Sequence, residues 1–249
     1  MTVACDWHVH ATACRGRDPR MTVAGILARC RELGITHVGI LEHLGPSFNY
    51  PADIIRRVAE TFHAEPPREG PRAFLAAEVE IGFDGALDIP TGLRDELKLH
   101  YLVGAVHHLS PGVASVEGAV ADVFKRMCLA AARGEAAVIA HPWRGVPGLL
   151  RRAGLAEAWD YDGVPAAMQG TFAQTLARSN VAAEVNPGEA GFTRAYLEFL
   201  RRLVDEGVAL APVSDAHAFD ALGRTLRYAE PIERAGIAAR WWTAEGTWE

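Results

Sequence analysis

The stretch Asp6-Trp7-His8-Val9-His10 sets two imidazoles one residue apart at the end of an opening apolar run. In an extended strand, residues i and i+2 point to the same face, so His8 and His10 can grip one metal ion together. Neutral imidazole is the commonest protein ligand for zinc-like metals, and a pair on a rigid strand loses little side-chain entropy on binding. One His-x-His pair is ordinarily a surface coincidence. Its weight depends on how the other strands end.

Working outward, the first strand covers roughly Val3 to His8, and the loop Thr12 to Arg20 leads to a helix over Met21–Leu33 with Thr22 as its cap and Gly34 as its stop. Thr36-His37-Val38-Gly39-Ile40-Leu41 then reads as a buried strand ending on Glu42-His43. A helix over about Ala52–Ala64 and a Pro-rich connector, Glu65 to Pro71, precede the third strand, Phe74–Ile81, which carries Glu78 and Glu80. Phe83–Asp88 is a short hairpin excursion. The fourth strand, His100–Val106, ends on His107-His108, and a long helix follows over about Val116–Arg133. The fifth strand, Ala136–Ala140, ends on His141-Pro142 with Trp143 and Arg144 beyond it. Helices over roughly Pro165–Arg178 and Thr193–Glu206 flank the sixth strand, Val181–Val185, which carries Glu184 and leads to Asn186. The seventh, Val208–Val213, runs into Ser214-Asp215-Ala216-His217. After a helix following Pro231, Trp241-Trp242 are expected to pack against the outside of the domain.

Short buried strands alternating with amphipathic helices predict βαβ units and a parallel sheet. Seven of them make nearly a full barrel, in which the C-terminal strand ends carry the chemistry. A single histidine at a strand end is usually a satisfied, half-buried residue. Here His8, His10, His43, His107, His141 and His217, six of the ten histidines, fall at predicted strand ends. They share that rim with Glu78, Glu184 and Asp215, and together they predict a metal site. His37 and His100 lie at strand starts and His63 at a helix end, so these three are assigned to structure. His108, out of phase with His107, should face away from the barrel axis. Glu78 is read as a bridging carboxylate, Glu80 as orienting a neighbour, Glu42 as a partner for the outer N–H of a ligating histidine, and Asp6 equally as such a partner or as a turn residue. Arg144 and Arg224 follow ligand-bearing strand ends and could fork a phosphate.

Composition narrows the partner. The 249 residues are 49% hydrophobic and carry a formal net charge of −6, which argues against a nucleic-acid or anionic-membrane surface and for a small molecule. The sequence shows neither a membrane span nor a secretion signal, so a cytoplasmic location is expected. Cys5, Cys14, Cys30 and Cys128 lack metal-binding spacing and suit a reducing compartment; Cys30 and Cys128 read as small core residues.

The sequence resembles the PHP (polymerase and histidinol phosphatase) family of metal-dependent phosphoesterases. The matching motifs are His8-Val9-His10, Leu41-Glu42-His43 in place of the family's Thr-Asp-His, Ala77-Glu78-Val79-Glu80, Gly104-Ala105-Val106-His107, Ala140-His141-Pro142 and Ser214-Asp215-Ala216-His217. They occur in the family's order over nearly the whole chain. The resemblance implies one domain over residues 1–249, an α/β fold in the form of a distorted seven-stranded (β/α)7 TIM-like barrel, and two or three divalent ions (zinc, manganese or iron). It implies His8, His10, Glu78, His107, His141 and Asp215 around one pair of ions, with His43, His217 and Asp18 at a third. Asp18 is the natural substitute for a ligand that family members carry soon after the His pair. The implied activity is hydrolysis of a small phosphomonoester by metal-activated water. Asp215, His217, Glu78, Arg144 and Arg224 are the expected catalytic side chains, and histidinol phosphate, a nucleotide or a sugar-like phosphate the open substrates. An amidohydrolase-like enzyme on the same barrel and a non-catalytic metal-binding domain are the alternatives.

Overall fold

The computed structural model describes residues 3–11, 18–64, 70–156, 159, 161–188 and 191–248. Cys14 and the loop 12–17, part of the connector expected after residue 64, and the end of the chain at 249 lie outside the described residues. Strands β1 (Cys5–His10), β2 (His37–Leu41), β3 (His43–Leu44), β4 (Arg72–Glu80), β5 (Tyr101–Ala105), β6 (Val138–Ile139), β7 (Ala182–Val185), β8 (Leu210–Pro212) and β9 (Trp241–Thr243) are joined through parallel pairs. β2 and β3 are one strand interrupted at Glu42, so eight parallel strands form an α/β barrel rather than the seven expected. The barrel is nearly closed where Val9 of β1 bridges Ala216 and the His10 amide donates to the Ala216 carbonyl at 3.0 Å.

The eighth strand is the stretch expected to lie outside the barrel. Trp241 pairs with Leu210, β9 turns back into β10 (Gly246–Trp248), and the Trp242 ring meets those of Trp7 and Tyr101 at 5.3 and 5.1 Å. Sequence period alone missed this because two adjacent tryptophans carry no alternation. With Phe74, these rings plug the N-terminal end of the barrel.

The helices α1 (Val23–Leu33), α2 (Ala52–Ala64), α4 (Val116–Arg133), α6 (Ala166–Ser179), α7 (Arg194–Asp205) and α8 (Ala229–Arg234) fall where the sequence places them, and two short helices it did not predict, α3 (Leu93–Leu97) and α5 (Val146–Ala153), lie in connecting segments. The Thr22 hydroxyl accepts from the Gly25 amide, and Gly34, at φ 73°, ends α1 in the left-handed conformation that only glycine adopts without cost. The strands after β1 bury almost all of their residues, as expected for a sheet covered on both sides.

One irregularity in β1 decides where its side chains go. Asp6 registers with Val38 and Val9 with Ile40, so Trp7 and His8 together oppose Gly39. In this bulge two consecutive residues turn inward, Trp7 toward the aromatic plug and His8 toward the opposite rim. Gly39 permits it: a Cβ there would lie 1.8 Å from the Tyr101 hydroxyl and 2.6 Å from the Trp7 carbonyl, two groups that already share a 2.6 Å hydrogen bond. Gly39→Ala is therefore expected to destabilise the fold by about 2–3 kcal/mol, read as a lower urea midpoint. An unchanged midpoint would show that the bulge does not depend on Gly39.

Candidate metal centre

Glu78 is at the centre of the histidine cluster. It is 1% exposed near the C-terminal end of β4. Its Oε2 lies 3.1, 3.4 and 3.5 Å from Nε2 of His43, His10 and His8, and its Oε1 lies 2.9 and 3.2 Å from Nε2 of His141 and His107. Parallel register delivers them: His43 of β3 pairs with Glu78, and β5, beside β4, and β6, beside β5, lead into His107 and His141. Asp215 approaches from beyond β8, with Oδ1 at 3.5 Å from His10 Nε2 and 3.7 Å from His8 Nε2. The His217 ring stacks on His10 at 3.9 Å between centroids.

A set of carboxylates fixes the outer nitrogens of these rings. His8 Nδ1 is 2.5 Å from Glu184, whose other oxygen accepts the His141 amide at 2.7 Å. His107 Nδ1 is 2.9 Å from Glu80, and His10 Nδ1 is 3.6 Å from Glu42. Glu184 and Glu80 hold Nδ1 of His8 and His107 protonated and turn their Nε2 lone pairs toward the common centre, whereas the His10–Glu42 separation is an ion-pair distance beyond a hydrogen bond. Glu80 is held in turn by Arg126, which is fully buried in α4 and donates to Glu80 at 3.0 Å and to the carbonyls of Ile81, Gly82 and His108. His108 is in none of the clusters of candidate ligands and lies 3.7 Å from Glu80. Glu184 was recognisable as a strand-end carboxylate but had no assigned role; Arg126 gave no sequence signal, since it sits in an otherwise ordinary helix. Asp6 departs from expectation: it accepts from the backbone amides of Ser214 and His8 and touches no imidazole.

The charges in this space compete. Burial would raise the Glu78 carboxyl, yet His43, His8 and His107 hold it far below the usual range. Burial opposes charge on His10 and His107, but the surrounding carboxylates push both up to about 10. Burial, with the positive neighbours His10, His107 and His217, pushes His43 down to about 2 despite Glu78. Asp215, against the effect of burial, is held far below its ordinary value by His10, His8 and His141. Protons alone leave imidazoles of opposite preference crowded on one carboxylate.

Three donor groups have ligand atoms within 4.8 Å of one another: His8, His10 and Glu78; His43, Glu78 and His107; and His10, His43 and His217. The set is imidazole nitrogen and carboxylate oxygen, which suits zinc, manganese or iron. The buried Glu78 Oε2 accepts no hydrogen bond. These residues fit a divalent cation.

Other sequence candidates fall elsewhere. Asp18 is in none of the donor groups: its Oδ1 accepts from the Arg20 amide and Nε, its Oδ2 from Arg20 Nη2 at 2.8 Å and the Phe219 amide at 2.9 Å. Those bonds, with Arg20 first among them, hold its carboxyl well below the ordinary range. Arg144 does reach the cluster, 3.2 Å from Asp215 Oδ2, which also accepts from Asn186 at 3.3 Å. Arg224 is exposed on the turn Arg224–Arg227 and pairs with no carboxylate among the described residues. His37 and His100 lie against the aromatic plug and Phe62, and His63 bonds the Leu97 carbonyl. The backbone is strained at the site: His141, Trp143 and Asp215 have φ of 27°, 55° and 53°. A cavity of about 590 Å³ opens beside the cluster, with His107 and Arg144 in its wall.

No family model matches the chain, and no curated protein matches it. Among solved structures, it is similar to histidinol phosphate phosphatase from Lactococcus lactis subsp. lactis, complexed with zinc, L-histidinol and phosphate, at TM-score 0.64 and 11% identity over 98% of both chains. At that identity the likeness establishes a shared fold. A D-allulose 3-epimerase from Methylomonas sp. follows at TM-score 0.40 and 13% identity, over 85% of this chain and 72% of that one.

Glu184 offers a test of the outer carboxylates. It receives two N–H groups, and Glu184→Gln leaves an acceptor for only one of them. Zinc affinity by titration calorimetry is expected to fall roughly 10- to 100-fold, with the far-ultraviolet circular dichroism retained. Unchanged affinity would remove Glu184 from the support of the site.

Proposed function

We propose that the protein is a metal-dependent phosphomonoesterase of the PHP type. The observation that carries this reading is the buried Glu78 carboxylate, with imidazoles from four barrel strands converging on both of its oxygens. His8, His10, His43, Glu78, His107, His141, Asp215 and His217 are the residues that would hold two or three divalent cations. Asp18 is left out because both its oxygens are already engaged by Arg20 and Phe219. Bound there, such cations would acidify a water and offset the charge on a phosphoryl group.

The chain's own groups account for the rest. Asp215 Oδ2, shared with Asn186, holds the Arg144 guanidinium at the cluster's edge, where its fork can take phosphate oxygens. His217 is 43% exposed whereas His8 is fully buried, so His217 is the would-be ligand on the open side of the cluster, where a phosphate ester can approach. The adjoining cavity, lined by aromatic rings and arginines, receives the leaving group. The carboxylated lysine that would favour amide hydrolysis has no counterpart, because Lys98 ends α3 and Lys125 lies in α4.

Two measurements test this reading. Removing metal with a strong chelator should abolish hydrolysis of phenyl phosphate, and zinc or manganese should restore it; full activity after verified metal removal would overturn the mechanism. Asp215→Asn should lower kcat/KM by roughly 100-fold or more while the fold persists. Near-normal turnover in that variant would exclude Asp215 from the site.

A further inference from the structure

Among the described residues, the lining of the cavity beside the cluster has a charge opposite to that of the whole protein. The chain carries a formal net charge of −6, yet Arg144, Arg151 and Arg152 all line this cavity, and no Asp or Glu does so among the described residues. Arg151 and Arg152 occupy the last turn of α5, the helix that follows the His141–Arg144 loop. Arg152 is tied to the centre itself, its Nη2 donating to the His107 carbonyl at 2.9 Å. Neither Arg151 nor Arg152 forms an ion pair with a described carboxylate, whereas Arg144 is held by Asp215. Trp159, Tyr161 and Tyr196 contribute aromatic surface to the same wall.

On the other flank the character reverses. Past His108 a second cavity, of about 620 Å³, is lined by Asp84 and Asp88 together with Phe48 and Phe83, and no Arg or Lys lines it among the described residues. The centre therefore stands between a basic cavity and an acidic one.

We propose that the substrate is a phosphomonoester whose leaving group bears a second anionic group, a carboxylate or another phosphate, which Arg151 and Arg152 receive. This rests on the phosphomonoesterase reading and narrows its substrate class. Arg144, next to Asp215, is placed for the reacting phosphoryl group, while the two arginines of α5 line the same cavity from the last turn of that helix. Guanidinium groups without a described carboxylate partner bind an anion by paired N–H donors. A cationic leaving group would meet three like charges there.

The test uses three esters that share a benzyl phosphate core: benzyl phosphate, 4-carboxybenzyl phosphate and 4-(aminomethyl)benzyl phosphate, assayed with the zinc- or manganese-loaded protein. The carboxylated ester is expected to have a kcat/KM about tenfold above the uncharged one, the size of one partly exposed charge-assisted contact. The amine ester should be the poorest. Arg151→Glu should bring the carboxylated ester level with or below the amine ester, chiefly through KM, and Arg151→Gln/Arg152→Gln should cut the carboxylate preference to within about twofold. Adding a phosphonomethyl analogue of the carboxylated ester separates a carboxylate site from a phosphate site by which of the two has the lower KM. Equal rates for all three esters, a preference for the amine ester, or a carboxylate preference that survives both variants would overturn the proposal. A preference for the amine would assign the leaving group to the acidic cavity. Failure to hydrolyse any of the three esters would instead overturn the phosphomonoesterase reading itself, and the substrate class with it.

Discussion

A carboxylate buried among imidazoles is the constraint on which this molecule is built. Taking Glu78 out of water is costly unless its charge is answered on all sides, and five Nε2 atoms within 3.5 Å answer it. Those imidazoles cannot all carry protons at once: His10 and His107 are pushed up to about 10 by the carboxylates around them, while burial, with its positive neighbours, pushes His43 down to about 2. An arrangement that protons satisfy so unevenly is one that a small divalent ion, accepting several neutral lone pairs together, satisfies evenly. The outer carboxylates Glu184 and Glu80 fit the same logic, since each fixes a ring by the nitrogen that faces away from the centre.

Much of this was legible in the sequence because parallel strands display their function at one end. Histidines and carboxylates recurring at the ends of short buried runs located His8, His10, His43, Glu78, His107, His141, Asp215 and His217 on one rim, and helix periodicity placed α1, α2, α4, α6 and α7 within a residue or two. What escaped was nonlocal. The eighth strand is short, pairs at one register point, Leu210 with Trp241, and owes its place to ring contacts made across the barrel. Asp18 has the right chemistry for a ligand, but Arg20 two residues on and Phe219 two hundred residues on claim its oxygens first. Arg126 supports His107 through Glu80, and nothing in the pattern of its helix marks it as different from a solvated arginine.

The bulge in β1 shows how one strand serves two opposed ends. A regular strand would send Trp7 and His8 to opposite faces, leaving either the plug without its central ring or the cluster without its most deeply buried imidazole. Opposing them both to Gly39 turns both inward, and the Tyr101 hydroxyl bonds the Trp7 carbonyl in the room that glycine leaves. The stabilising aromatic layer and the reactive rim thus meet at a single peptide bond.

That junction also explains where strain can be tolerated. The unusual backbone angles at His141, Trp143 and Asp215 all lie at the C-terminal rim, and each is held by buried contacts. The His141 amide donates to Glu184, the Trp143 ring packs against Phe172 and Phe199, and Asp215 is pinned by Arg144 and Asn186. A loop in such conformations costs on the order of 1–3 kcal/mol per residue and persists only when its surroundings determine it completely. Here the determining contacts come from the same groups that shape the cluster: Glu184 binds His8 as well as the His141 backbone, and Asp215 faces His10 as well as Arg144. Strain at the rim and order in the donor set therefore depend on each other, so a residue that relaxed the loop would also misplace the imidazoles.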